Sequence, residues 1–189
     1  MSVATIVKER RSIRKFKDQD VPDRLIYELL EQAGNLCDRQ ILQAMRIIVA
    51  NQRESKDRLS RYMTNAFART TMGRFMPNPI IETFYKRFAE VPGHLAVIVE
   101  DHESAEQKDE QYAQACFFLQ SLQLLAWEKG LGMYWRSDEI LYTPALFEKL
   151  GLTDGERLVG IIHFGFIAKT PRPRNRTSAA KKSHYWPNI

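Results

Sequence analysis

Apolar residues recur at helical spacing between Asp23 and Asn35, where Leu25, Ile26, Leu29, Leu30 and Ala33 fall on one face. That spacing predicts an amphipathic helix, and Pro22 stands where a helix start allows a proline. A shorter helix is predicted over Val3–Glu9, and a longer amphipathic one over Glu54–Phe67. Compact apolar runs give strands instead. R-I-I-V-A (Arg46–Ala50), H-L-A-V-I-V-E (His94–Glu100), the run Leu131–Trp135 and L-V-G-I-I-H-F-G-F (Leu158–Phe166) all read as strands, mostly without the polar alternation of a half-exposed strand. Thr143 and Pro144 suit the N-cap and first turn of a short helix that Gly151 closes.

The stretch Glu106–Lys129 is the longest predicted helix. Tyr112, Ala115, Cys116, Leu119, Leu122 and Ala126 mark an apolar face, and Phe118, Leu124 and Leu125 widen it. So broad a face in so short a chain predicts a subunit interface as well as a core. Arg69–Pro92 has no clear period. Pro77 and Pro79 interrupt it, and it reads either as a lid over a site or as a surface excursion. From Lys169 the chain is basic and proline-containing, which predicts an extended arm. Strands separated by helices place the chain in an α/β or α+β sandwich, read as a single domain over residues 1–189.

Composition narrows the classes. Hydrophobic residues make up 44% and charged residues 27% of 189, as in an ordinary globular protein. No stretch approaches the length of a membrane span and no secretory leader is visible. A soluble, cytoplasmic protein is the expectation. Cys37 and Cys116 form no C-x-x-C pair and are expected to be free thiols. The chain contains no G-x-S-x-G, H-E-x-x-H, phosphate-loop or G-x-G-x-x-G motif. The four histidines, His94, His102, His163 and His184, are scattered, and His163 falls within a predicted strand as a core or edge residue. Hydrolase and zinc-enzyme readings therefore lack their parts, and no metal site is expected.

Arginine carries the remaining signal. R-R-S-I-R-K-F-K (Arg10–Lys17) holds five cations around the hydroxyl of Ser12, with Ile13 and Phe16 as apolar anchors. In R-P-R-N-R, residues Arg172, Arg174 and Arg176 alternate, so in an extended arm they project to one side. Two such clusters suit a phosphate monoester, which takes forked, charge-assisted donors from several directions. A pair of solvated basic faces would leave the same pattern. Two further segments offer polar groups. L-C-D-R-Q-I-L-Q-A-M (Leu36–Met45) reads as a loop carrying Arg39 and Gln43. G-L-G-M-Y-W-R-S-D (Gly130–Asp138) brings Trp135, Arg136 and Ser137 to a strand end.

Taken in order, R-R-S-I-R-K-F, the Leu36–Met45 segment, G-L-G-M-Y-W-R-S and R-P-R-N-R resemble the nitroreductase family of flavoenzymes, from about Ile6 to Arg176. The closest likeness is to a short, single-domain bacterial subgroup with a W-R-S motif. The resemblance implies an α+β three-layer sandwich with a mainly antiparallel central sheet flanked by helices. It implies a homodimer with exchanged arms and two FMN sites at the interface. By position, Arg10, Arg11, Ser12 and Arg14 would hold the FMN phosphate and ribityl chain, and Arg174 and Arg176 would close on the phosphate. Trp135, Arg136 and Ser137 would lie along the ring system. Arg39 and Gln43 would reach the flavin edge from the partner subunit. The implied activity is ping-pong hydride transfer through flavin N5, from NADH or NADPH to electron-poor acceptors such as nitroaromatics or quinones. No catalytic side chain is required, because the flavin carries the chemistry.

The chain departs from the family pattern in one place. Many members read S-x-x-N-x-Q-P-W where this chain reads D-R-Q-I-L-Q-A-M. An apolar residue replaces the asparagine, and Ala44-Met45 replaces P-W, so one flavin hydrogen bond is lost or replaced. The charge of Arg39 would favour an anionic reduced flavin. Two rivals stand beside this reading. One is a flavin-binding protein, or a reductase dedicated to one substrate, on the same fold. The other is a nucleic-acid-binding module, which the basic and aromatic run Phe84–Phe88 would suit but which lacks every recognition motif.

Overall fold

The computed structural model describes residues 2–37, 39–173 and 178–184. Three helices come first: α1 (Val3–Glu9), α2 (Asp23–Gly34) and the short α3 (Arg39–Gln43). Strand β1 (Met45–Ala50) leads into α4 (Arg53–Ala68) and α5 (Asn78–Ala89). Strand β2 (Gly93–Glu100) is followed by α6 (Ala105–Glu128), β3 (Leu131–Arg136), α7 (Pro144–Leu150) and β4 (Glu156–Phe166). The strands form one sheet in the order β1-β2-β4-β3, every pairing antiparallel.

Alternation along β2 builds the three layers. Leu95, Val97 and Val99 join Ala115, Phe118, Leu119 and Leu122 of α6 and Ile26 and Leu29 of α2 in one core. Ala96 and Ile98 point to the opposite side and join Leu59, Met63 and Phe67 of α4 and Leu146 of α7. Residues Leu95 to Ile98 are all fully buried, which is why this strand reads as a continuous apolar run. Each large side chain buried there contributes about 1.5–3 kcal/mol. The α+β sandwich with its antiparallel sheet is as expected. Among the described residues no helix is long and apolar enough to cross a membrane. Cys37 and Cys116 are unpaired with each other, as free thiols.

Four local expectations are corrected. The segment Arg69–Pro92 is no irregular excursion. Pro77 is the N-cap of α5 and Pro79 lies in its first turn, where the missing N–H costs nothing. Phe84 of α5 stacks on Phe67 of α4 at 3.9 Å, and Phe88 is buried. The loop after α2 contains the helical turn α3. Thr143 stands at the N-cap of α7 without capping it; its hydroxyl donates to the Ile140 carbonyl at 2.9 Å. In the tail, residues Ala179–Lys182 form a 3-10 turn.

The N-terminal segment extends the sheet. Ser12 bridges to Met133 in parallel and Phe16 to Ile167 in antiparallel fashion. The Ile13 amide donates to the Met133 carbonyl at 3.0 Å, and the Lys17 amide to that of Phe166 at 2.9 Å. The Ile13 side chain is fully buried over Gly132, where a Cβ would stand 2.5 Å from its own. Only glycine leaves that room. At the far edge of the sheet, Arg46 of β1 grips Glu156 of β4 with two hydrogen bonds, 2.8 and 2.7 Å. The Thr153 amide and hydroxyl donate to the same carboxylate.

Two outcomes follow from these contacts. Gly132→Ala is expected to destabilise the chain by about 1–3 kcal/mol through overpacking against Ile13, read as a lower urea midpoint with unchanged m-value. The Arg46 hydrogen bonds hold the Glu156 carboxyl down at about 2, against an ordinary 4.5. A depressed folded-state value makes this stabilisation fully present above pH 4.5 and lost as pH falls towards 2. Allowing for solvent screening, Glu156→Gln is expected to cost about 1 kcal/mol at pH 7. The difference from wild type should shrink between pH 4.5 and 3 in urea titrations; a pH-independent difference would show that the ion pair is not its cause.

Candidate functional site

The extended backbone of residues 10–14 along β3 decides where its arginines go. Arg10, Arg11, Ser12 and Arg14 line a cavity of about 530 Å³ together with Tyr134, Pro171 and Arg172. Among the described residues no carboxylate lines it, so the guanidinium groups of Arg10, Arg11, Arg14 and Arg172 set its potential. The Arg11 guanidinium donates to the backbone carbonyls of Lys8 and Arg10 at 2.6 and 2.8 Å. Arg14 donates to the Tyr134 hydroxyl at 3.0 Å and lies 4.3 Å over its ring. Arg10 reaches across to Gln123 Oε1 of α6 at 3.4 Å.

A second cavity, about 330 Å³, shares Arg10 and Ser12 with the first. Tyr112, Gln120 and Gln123 of α6 form one wall, and Trp135 and Ser137 the other. Trp135 fits because Gly160 on β4 has no side chain: a Cβ there would meet the indole nitrogen at 2.1 Å. The Trp135 Nε1–H is itself buried without a hydrogen bond. The two neighbouring cavities thus offer a cationic end and an aromatic, amide-bearing end. Those parts fit a phosphate monoester attached to a planar polar ring system.

The structure sorts the expected residues. Arg10, Arg11, Ser12 and Arg14 gather with Arg172, and Trp135 and Ser137 gather with Arg10 and Ser12. Arg136 points to the other side of β3, pairs with Asp138 at 2.5 Å and lines a third cavity under α5. Arg39 and Gln43 are exposed on α3 and line neither of these two cavities. Arg174 and Arg176 lie outside the described residues. Sequence reasoning missed Tyr134 and Gln123. The signal for Gln123 was its polarity within the apolar face of α6, where it is 7% exposed. Strand alternation beside Trp135 could have flagged Tyr134.

Behind Tyr134 lies a buried imidazole pair. His94 and His163 are directly opposite on β2 and β4, with Nδ1 atoms 2.7 Å apart. Burial pushes His94 down to about 4 and, with His94 and Arg136 as neighbours, pushes His163 well below its ordinary value. Both rings are neutral at pH 7, so one Nδ1 carries the shared proton. The histidines are core residues, as expected for His163.

Residues 7–166 match the nitroreductase family. A Bacillus subtilis (strain 168) protein provisionally named NAD(P)H nitroreductase YfhC is 34% identical over 172 residues, covering 91% of this chain and 88% of its own length. The crystal structure of a nitroreductase-like family protein from Bacillus cereus superposes with a TM-score of 0.89 at 34% identity, over 99% of this chain and 97% of the other. The fold is also that of the FMN and NADPH-dependent nitroreductase NfnB from sphigopyxis sp. strain HMH, with a TM-score of 0.76, 18% identity and coverage of 98% and 99%. The match over most of the chain, and a relative one-third identical along nearly its whole length, place this protein in the nitroreductase family.

Proposed function

We propose that the protein is a cytoplasmic, FMN-dependent oxidoreductase that uses NADH or NADPH to reduce electron-poor acceptors such as nitroaromatics or quinones. The observation that carries this reading is the pair of neighbouring cavities that share Arg10 and Ser12. Arg10, Arg11, Arg14 and Arg172 would hold the phosphate, with Arg174 and Arg176 completing the grip. Ser12 adds a hydroxyl donor. Trp135, Ser137 and the amides of Gln120 and Gln123 would orient the ring. FMN, when bound, supplies the hydride-accepting and hydride-donating chemistry. The names of the Bacillus subtilis relative and of NfnB support the choice of substrate and cofactor.

The site is read as composite, in a homodimer with exchanged arms. Apolar residues stay exposed around α6: Phe117 is 50% exposed, Val3 and Val7 of α1 are 75% and 46%, and Leu36 is 57%. A two-fold contact would cover such surface. It would also bring Arg39 and Gln43, which stand apart from their own chain's cavities, to the flavin edge of the partner.

The protein is expected to purify yellow with about one FMN per chain, by absorbance and by mass of the released cofactor. A colourless protein that ignores added FMN would sink the reading. With NAD(P)H and a quinone or nitroarene, both substrates would use one open ring face in turn. Double-reciprocal plots should then be parallel, and intersecting lines would exclude a ping-pong scheme. Arg10→Ala should weaken FMN binding by about 1.5–3 kcal/mol, as loss of a charge-assisted contact does. An Arg10→Ala chain mixed with an Arg39→Ala/Gln43→Ala chain, each impaired alone, should regain activity after subunit exchange. If mixing restores nothing, Arg39 and Gln43 serve their own chain or no site.

A further inference from the structure

Helix α6 buries Gln123 where an apolar residue would pack as well. Leu119 and Leu122 beside it are 0% and 1% exposed, and Gln123 itself is 7% exposed. Burying an amide costs free energy unless its hydrogen bonds are made. Here Nε2 donates to the Leu119 carbonyl, one turn back, at 3.1 Å. That bond folds the side chain onto its own helix and fixes the direction in which Oε1 points. Oε1 then accepts from Arg10 Nη1 at 3.4 Å. A methionine would fill the same space without a polar group to satisfy.

Arg10 and Ser12 are the residues that the two neighbouring cavities share. The place of the Arg10 guanidinium therefore sets how the cationic end meets the aromatic end. Its backbone is fixed at the close of α1, where its N–H donates to the Ile6 carbonyl at 2.8 Å. The long side chain beyond keeps much rotational freedom unless something receives it. Gln123 receives it from a helix anchored in the core.

The chemistry of this acceptor matters. A carboxylate would hold a guanidinium more tightly than an amide does. It would also bring a negative charge into the wall of an anion site. An amide orients the group and adds no charge. Arg11 and Arg14 are also held by neutral groups, the Lys8 and Arg10 carbonyls and the Tyr134 hydroxyl. Among the described residues no carboxylate lines either cavity.

We propose that Gln123 is a positioning residue for anion binding. It aims Arg10 at the bound phosphate, and it is an amide so that the aim brings no negative charge beside the anion. The identity of that anion as FMN rests on the flavoenzyme reading; the aim itself does not.

The test is calorimetric titration of the full chain, freed of bound flavin, with FMN, riboflavin and phenyl phosphate. Riboflavin keeps the ring and lacks the phosphate, and phenyl phosphate does the reverse. Gln123→Glu is expected to weaken FMN and phenyl phosphate about tenfold or more and riboflavin little. Compared with wild type at each pH, that loss should shrink on acidification as the introduced carboxyl takes up a proton. Gln123→Met keeps the volume and the neutrality, and should weaken FMN about threefold to tenfold while the urea midpoint does not fall. In an Arg10→Ala background it should add no further loss. Unchanged FMN affinity in Gln123→Met, or losses that add to that of Arg10→Ala, would overturn the proposal. An equal loss for riboflavin would do so too, by making Gln123 a contact of the ring. A pH-independent loss in Gln123→Glu would defeat the argument from charge. Should Gln123→Glu not fold, Gln123→Met and its combination with Arg10→Ala still decide the aim. A chain that ignores FMN but binds phenyl phosphate with the same dependence on Gln123 would keep the proposal and defeat the flavoenzyme reading. A chain that binds neither phosphate ester would defeat both.

Discussion

The close approach of Ile13 to Gly132 governs the functional half of the molecule. It lets an irregular segment lie flat along β3, with its backbone paired to Met133. Once Ile13 is buried, strand alternation leaves Ser12 and Arg14 exposed beside it. The adjacent cations cannot spread into solvent independently, because their backbone is fixed to the sheet. Charge repulsion within the cluster is thereby stored in place and offset by apolar burial a residue away.

Much of this architecture was legible in the sequence because its two periods are clean. The buried strands β2 and β4 read as apolar runs since the sheet is covered on both faces. Helix α5 was hidden because Pro77 and Pro79 were weighed as breakers, although proline at an N-cap and in a first turn begins a helix. The turn α3 is too short for a period to show. At the site, the cationic cluster was visible because its members are neighbours in the chain. Gln123 and Tyr134 were not, because they meet Arg10 and Arg14 across 113 and 120 residues. Only folding brings such pairs together, and no local pattern encodes them. The split between Trp135 and Arg136 shows the same limit, since adjacent residues on a strand serve opposite faces.

The sheet also separates two electrostatic environments. Toward α6 the site walls are amides and hydroxyls around one arginine. Toward α5 they are arginines and aromatic rings, with a neutral imidazole pair beneath. Were the histidines charged, they would repel Arg136 and Arg14 and compete for any anion. Burial keeps them neutral, so the cationic groups near the surface act without a rival from below. The core thus contributes to the site through a charge that it withholds.

The pairing of Ser12 with Met133 of β3, and of Phe16 with Ile167 just past β4, has a consequence for synthesis. Translation makes the arginines before the strands that support them. β3 has β4 as its partner in the sheet, and β4 ends only at Phe166. A nascent chain therefore carries an unsupported cationic segment until β4 has been made. The anion cavity can close only when β4 has emerged and Arg172 has followed it. Capture of an anion by this cavity is in that sense a report that translation has run through β4 and on to Arg172.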